Sequence, residues 1–395
     1  MSNFQIREDK LKICHVITRM IIGGAQENTL LTAIGHVNNG HECVLVSGPS
    51  HGPEGELLRK IKIPNELKIV ECPYLCREIH PFNDISAYFW LKKFFKMKNF
   101  DVVHTHSSKA GIIARAAAAK VNVPVIVHTI HGLAFHKFEN PLKNKIYITA
   151  ERWAAKRCHR ILAVAQAMIE QSINAKIAAR DKFKLVYSGM ELNPFLNNYG
   201  KREKMRKKLN IKNDVPLVGT LARLFPLKGY EDFLPVAAKI AKEIQNVEFI
   251  IIGDGILKEK IKEESEKLGL KFHFVGLISP EQVPDYISTM DILIHLSMRE
   301  GLPRAVVQAL ASGIPAIAYD LDGAPEVIIN GRSGYIAKPR NVDEVANFAI
   351  KLLNNSSLRE KLGNEGRKIV KEKFDWINMV KTIEEEYKNI KYNKC

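Results

Sequence analysis

The densest chemistry in the chain lies in Arg299-Glu300-Gly301-Leu302-Pro303-Arg304, a run closed by Gly313 and Pro315. Gly301 lets backbone approach a ligand closely, and Pro303 suits a first helical turn. Gly313 with Pro315 stops a helix, so the spacing predicts one over about 302–312. Free N–H groups and the positive dipole end at that entrance suit an anion such as phosphate. A carboxylate beside a phosphate repels it, so Glu300 reads as an acceptor of hydroxyl hydrogen bonds, as from a sugar. The competing reading is a buried helix with a solvated Glu at its start. Arg223 and Lys228 bracket a loop directly after an apolar run, where a forked guanidinium and an ammonium suit a diphosphate. Surface solvation is the alternative for that pair.

Histidines are the second feature. His104 and His106 alternate along one apolar run, while His128 and His131 close another. No Asp, Glu or Cys completes the spacing of a zinc motif, so structural or substrate-contacting roles are expected and no metal is assigned. His131, followed by Gly132, is the candidate for a hydrogen bond to a polar ligand. Gly23 and Gly24 sit where a strand turns into a helix, which serves a bare turn as well as a phosphate or sugar contact. Asp320-Leu321-Asp322 spells a DxD triplet, which holds a divalent metal in another class of sugar-transferring enzyme. Here Arg223, Lys228 and a helix end already answer phosphate charge, and the triplet is read as a decoy.

These residues need a scaffold, and short β-branched runs alternating with helical stretches supply one. Runs at Ile13 to Thr18, Cys43 to Val46, Leu67 to Cys72, Val102 to Thr105, Val123 to Thr129 and Ile161 to Val164 predict a parallel sheet covered on both faces. The pattern restarts at Leu217 to Leu221, Val247 to Ile252, Phe272 to Val275, Ile292 to His295 and Ala316 to Tyr319. Two doubly wound α/β domains follow, with the site expected beyond the carboxyl ends of their strands, in a cleft between them. The basic stretch Lys201 to Lys208 is expected as a solvated linker helix. Trp376, Met379, Val380, Ile383 and Tyr387 share a helical stripe that needs an apolar surface to cover.

Length and composition agree with this outline. The 395 residues are 46% hydrophobic and 26% charged, ordinary for globular protein. Lys and Arg number 59 against 43 Asp and Glu, and the formal charge of +16 predicts affinity for anions such as nucleotide, nucleic acid or acidic lipid. Met1 to Lys10 has no apolar signal-like core, and no run approaches the ~18 apolar residues of a spanning helix, so a cytoplasmic protein is expected. Six cysteines without framework spacing are expected as reduced thiols. Trp90 to Lys98 mixes aromatic and basic residues like an interfacial helix, although packing of Leu91, Phe94 and Phe95 into the first domain explains it equally simply.

The ordered set formed by Gly23-Gly24-Ala25, His131-Gly132, Arg223 with Lys228, Gly253-Asp254-Gly255, Phe274-Val275-Gly276 and the Glu300 segment resembles the retaining glycosyltransferases of family 4 over nearly the whole chain. The resemblance implies a GT-B architecture of two Rossmann-like domains facing across a cleft. It places an acceptor-side domain at 1–192, a nucleotide-sugar domain at 193–373, and a helix at 374–395 crossing back to the first domain. It also implies that Arg223 and Lys228 hold the diphosphate of a UDP- or GDP-linked donor and that Gly23 and Gly24 contact that donor. Gly301 and Leu302 amides meet phosphate, and Glu300 and His131 act at the sugar, with no metal and no further cofactor. The family pattern carries a second Glu eight residues after the first, and this chain has Gln308, which can hydrogen-bond a ribose only without a carboxylate's strength.

The expected activity is transfer of a sugar to an acceptor hydroxyl with retention of configuration, in envelope, capsular or exopolysaccharide assembly. A lipid-linked acceptor and peripheral membrane association fit that setting. The alternatives are a nucleotide-sugar epimerase using the same cleft, or a basic protein binding membrane or nucleic acid without catalysis. No recognition helix, zinc knuckle or aromatic-basic sheet motif supports nucleic acid.

Overall fold

The computed structural model describes residues 10–50, 57–59, 61–198 and 200–392. Residues 1–9, on which the expectation about a signal segment rests, lie outside them. Two parallel sheets organise the chain. The first contains β1 (Lys12–Ile17), β2 (Glu42–Ser47), β3 (Lys68–Glu71), β4 (Val102–His106), β5 (Val125–Ile130), β6 (Arg160–Ala163) and β7 (Phe183–Leu185), in the order β3-β2-β1-β4-β5-β6-β7. The second contains β8 (Leu217–Leu221), β9 (Glu248–Ile252), β10 (Phe272–Gly276), β11 (Ile292–His295), β12 (Ala316–Tyr319) and β13 (Gly334–Ala337), in the order β10-β9-β8-β11-β12-β13. Both are doubly wound. Strand order reverses between β1 and β4 and again between β8 and β11, the points where such sheets open a crevice for ligands.

Strands β1, β4, β5 and β11 are buried almost throughout, which is why apolar residues dominate β1, β5 and β11, although each of the four also buries at least one histidine. Two edge strands escaped the sequence reading. Phe183–Leu185 is three residues long with a central lysine, and Gly334–Ala337 begins on glycine, so neither shows a strand signature.

The chain packs as two compact units, residues Met1–Met190 with Trp376–Cys395, and Glu191–Asp375. In the first unit the terminal helix Trp376–Tyr392 buries Met379, Val380, Ile383 and Tyr387 in the core. Full burial of such side chains is worth roughly 1.5–3 kcal/mol each. The helix lies close on the helix Gly24–Asn38, where a Cβ on Gly35 would stand 2.6 Å from Val380 Cγ2.

The structure corrects one expectation and refines two. The basic helix Lys201–Lys208 forms, but it is not simply solvated. Arg206 is fully buried, donating to the carbonyls of Thr289, Lys212, Asn213 and Val215 and pairing with Asp291 at 3.0 Å. The helix predicted over 302–312 runs Arg304–Ala311, with Pro303 as its N-cap in extended conformation. The helix Pro81–Lys98 buries Leu91, Phe94 and Phe95 as the packing alternative requires, yet it also leaves Phe82, Ile85, Phe89 and Met97 exposed. No helix among the described residues is long and apolar enough to cross a membrane. Cys14, Cys43, Cys72, Cys76 and Cys158 are free thiols.

Candidate active site

In the second unit the loops after β8, β11 and β12 meet at the carboxyl edge of the sheet. Lys228 Nζ lies 2.6 Å from Glu300 Oε1, so residues from the two strands flanking the reversal point form one ion pair. The loops are held together by backbone. Met298 N–H donates to the Leu227 carbonyl at 2.9 Å, and Gly229, at φ +80°, faces the Leu296 carbonyl so closely that a Cβ would stand 2.1 Å from its oxygen. Only glycine fits there. His295 Nε2 adds a 3.3 Å contact to the same Glu300 oxygen. Burial opposes ionisation of Glu300, but the Lys228 ammonium and the neighbouring His295 ring outweigh it and hold the carboxyl well below its usual range.

Glu300 is anchored from a third strand. Its N–H donates to Asp322 Oδ2 at 2.7 Å, and Asp322 sits in the left-handed region at φ +51°, a conformation that Asp tolerates. Part of the DxD triplet therefore fastens the Glu300 loop. The Gly323 N–H donates to the Gly301 carbonyl at 3.1 Å, tying the same two loops a second time.

Arg223 stands apart from this pair. It is exposed, with its guanidinium 5.4 Å from the Phe225 ring centre. Its loop is set by Gly253-Asp254-Gly255: Leu224 N–H donates to the Asp254 carbonyl, and a Cβ on Gly253 would meet the Ala222 oxygen at 2.0 Å. Leu302 is buried beside Gly301, and half-buried Gln308 lies on the helix Arg304–Ala311 that follows them.

In the first unit, Gly23 caps the helix Gly24–Asn38, its carbonyl accepting the Glu27 N–H at 3.0 Å. Its neighbour Ala25 lines a cavity of about 280 Å³ with Ser107, His128, His131 and Gly132. Gly23 and Gly24 stand at the rim of that loop rather than in the lining. Ser107 follows β4 with φ +59°, a strained setting for a serine, and its hydroxyl bonds the Thr18 hydroxyl at 2.7 Å across the β1–β4 reversal.

Behind His131 the histidines join. His131 Nε2 is 3.0 Å from His106 Nδ1, His106 Nε2 is 3.0 Å from His15 Nδ1, and His15 Nε2 is 3.1 Å from His36 Nδ1. His104 bonds Tyr387 and Thr129 instead. Burial pulls the His15 ring down to about 3, and burial reinforced by neighbouring rings lowers His36, His104 and His106 as well, so all are neutral at pH 7. Sequence reasoning named His104, His106 and His131 but missed His15 and His36. Neither carries a motif; the parallel pairing of β1 with β4 brings His15 alongside, and the helix Gly24–Asn38 brings His36 to His15.

Comparison with known proteins defines the class. Residues 22–193 match the model of Glycosyltransferase Family 4, and residues 201–369 match that of Glycosyl transferases group 1. The chain belongs to the family 4-like glycosyltransferases and has their GT-B fold. Among its relatives is the UDP-Gal:alpha-D-GlcNAc-diphosphoundecaprenol alpha-1,3-galactosyltransferase of Escherichia coli, 27% identical over 98% of each chain. The capsular polysaccharide biosynthesis glycosyltransferase CapM of Staphylococcus aureus is 26% identical over 75% of this chain and 79% of its own. The fold matches that of Anabaena Alr3699/HepE, solved in complex with UDP and glucose, with a TM-score of 0.80 at 19% identity over 96% of this chain and all of the other.

Proposed function

We propose that this glycosyltransferase moves a sugar from a UDP-linked donor to a hydroxyl of a lipid-diphosphate-linked saccharide, with retention of configuration and without a metal ion, in assembly of a surface polysaccharide. The observation that carries the reading is the Lys228–Glu300 pair at the reversal point of the second sheet. Departure of the nucleoside diphosphate is the charge-developing step. The Lys228 ammonium, Arg223 and the amides of Gly301 and Leu302 supply positive charge for it, the kind of preorganised donors worth roughly 100- to 1000-fold each.

Glu300 is ionised and shares its charge with Lys228, so it accepts hydroxyls of the donor sugar without an unpaired charge repelling the phosphates. In the second unit Gln308 meets the ribose, and in the first unit His131 offers a hydrogen bond to a hydroxyl from the wall of its own cavity. The donor, acceptor and alpha linkage in the galactosyltransferase relative's name make UDP-galactose and an undecaprenyl diphosphate-linked GlcNAc the first pair to try. Exposed Phe82, Ile85, Phe89 and Met97, on the helix that also carries Lys92, Lys93 and Lys96, support contact with an anionic membrane at the protein's site of action, on the cytoplasmic face.

The test is a radiolabelled transfer assay with and without acceptor and with and without chelator. Acceptor-dependent product that survives the chelator supports the reading. A converted donor sugar in the absence of acceptor identifies an epimerase instead.

A further inference from the structure

We infer that His106, His15 and His36 are positioning residues for His131: the four rings form one hydrogen-bonded wire that fixes the tautomer of His131, with its proton on Nε2. The carrying observation is the order of the nitrogens. At all three links an Nε2 meets the Nδ1 of the next ring, at 3.0, 3.0 and 3.1 Å. Each neutral imidazole has one N–H and one lone pair, so the rings cannot choose their tautomers independently. In one register every proton sits on Nε2. His131 then donates to His106, His106 to His15 and His15 to His36, and His36 Nε2 holds the last proton. In the other register every proton sits on Nδ1 and all three bonds reverse. Interconversion adds a proton at His131 Nδ1, shifts three protons across the links and releases one from His36 Nε2, so the count balances. Any mixed state sets two N–H groups or two lone pairs against each other about 3 Å apart.

The far end selects the register. His36 Nε2 is buried with no hydrogen-bond partner among the described residues, and the charge of Glu384 reaches it. His41 cannot supply it with a proton donor. Leu11 N–H donates to His41 Nδ1 at 3.1 Å, so the His41 proton is on Nε2, which lies 2.9 Å from Glu384 Oε1. His36 also lies near the Tyr387 ring, 5.3 Å away between centres, and the protonated Cys43 thiol. A carboxylate nearby favours the N–H over the lone pair at His36 Nε2. That choice passes along the wire and leaves the proton of His131 on Nε2 and a lone pair on its Nδ1. The role of His131 at a sugar rests on the proposed function, whereas the wire does not.

The same rings lie close enough to invite a metal. Their nitrogens, however, pair off in line, and both nitrogens of His104 are already engaged by Tyr387 and Thr129 rather than converging on a common centre.

Nitrogen NMR on the full chain with ¹⁵N-labelled histidine needs no substrate and so separates the wire from the proposed function. Three N–N couplings across hydrogen bonds, linking four rings in sequence, with His131 as the Nε2–H tautomer, are expected. His36→Phe removes one coupling and moves the His131 resonances toward a mixture of tautomers. Glu384→Gln moves them in the same direction, and it serves alone if His36→Phe does not fold. Absent couplings in the wild type, His131 resonances unmoved by the far-end variants, or one equivalent of zinc in the purified protein each overturn the proposal.

Discussion

Lys228 and Glu300 are 72 positions apart in sequence, yet Nζ and Oε1 stand 2.6 Å apart because β8 and β11 are neighbours in the sheet. Lys228→Met removes the ammonium while keeping most of its apolar stem. Turnover is expected to fall at least about 100-fold, with unchanged circular dichroism and weaker UDP binding by calorimetry. Wild-type turnover in this variant would remove Lys228 from the site.

Asp322 yields a sharper contrast, because one side chain separates two readings of the DxD triplet. If its work is to accept the Glu300 N–H, an amide oxygen does nearly as well as a carboxylate. Asp322→Asn is then expected to retain turnover within a few fold, about 1 kcal/mol or less, while Asp322→Ala loses it. A metal ligand behaves differently: the Asn variant would fail as badly as the Ala variant, and activity would collapse in chelator.

These two sites show where sequence stops being legible. Apolar runs separated by helical stretches announce two parallel sheets because strands buried on both faces are mostly apolar, even where His128 and Thr129 interrupt β5 or His295 ends β11. The three-residue β7 and the glycine-led β13 lack that signature, although the edge strands β3 and β10 carry it. Lys228 and Glu300 were each nominated from their own loop. Their pairing was not, since it depends on which strands are adjacent. Asp322 was set aside as a motif match without a purpose, and its purpose is a backbone contact that residue type does not announce. Arg206 was hidden in the same way, in a run of lysines and arginines whose other members are mostly solvated.

Gly35 tests how the terminal helix is attached. Its missing Cβ leaves room for Val380, and Gly35→Ala is expected to destabilise the first unit by about 1–3 kcal/mol in urea denaturation. Val380→Ala makes a cavity of its own, yet in the double variant the two losses should not add, because each relieves the other. Strict additivity would show that the two helices do not pack at this point.

Glu384 gives a pH-dependent test on the same helix. It accepts from Asn39 Nδ2 at 2.7 Å and lies 2.9 Å from His41 Nε2 and 3.2 Å from Lys388 Nζ. The His41 hydrogen bond leads in lowering its pKa, burial opposes it, and the carboxyl is held down to about 2. A carboxylate whose folded pKa is depressed stabilises the native state above its unfolded pKa and loses that contribution as pH falls through the folded value. The window here is from about 4.3 down to 2, and the contribution at pH 7 is at most about 3 kcal/mol. Glu384→Gln is therefore expected to lower the free energy of unfolding clearly at pH 7. About half of the difference from wild type should be gone by pH 3 as the unfolded chain binds its proton. A gap between the two proteins that stays the same at both pH values would mean that the Glu384 charge contributes nothing to holding the helix.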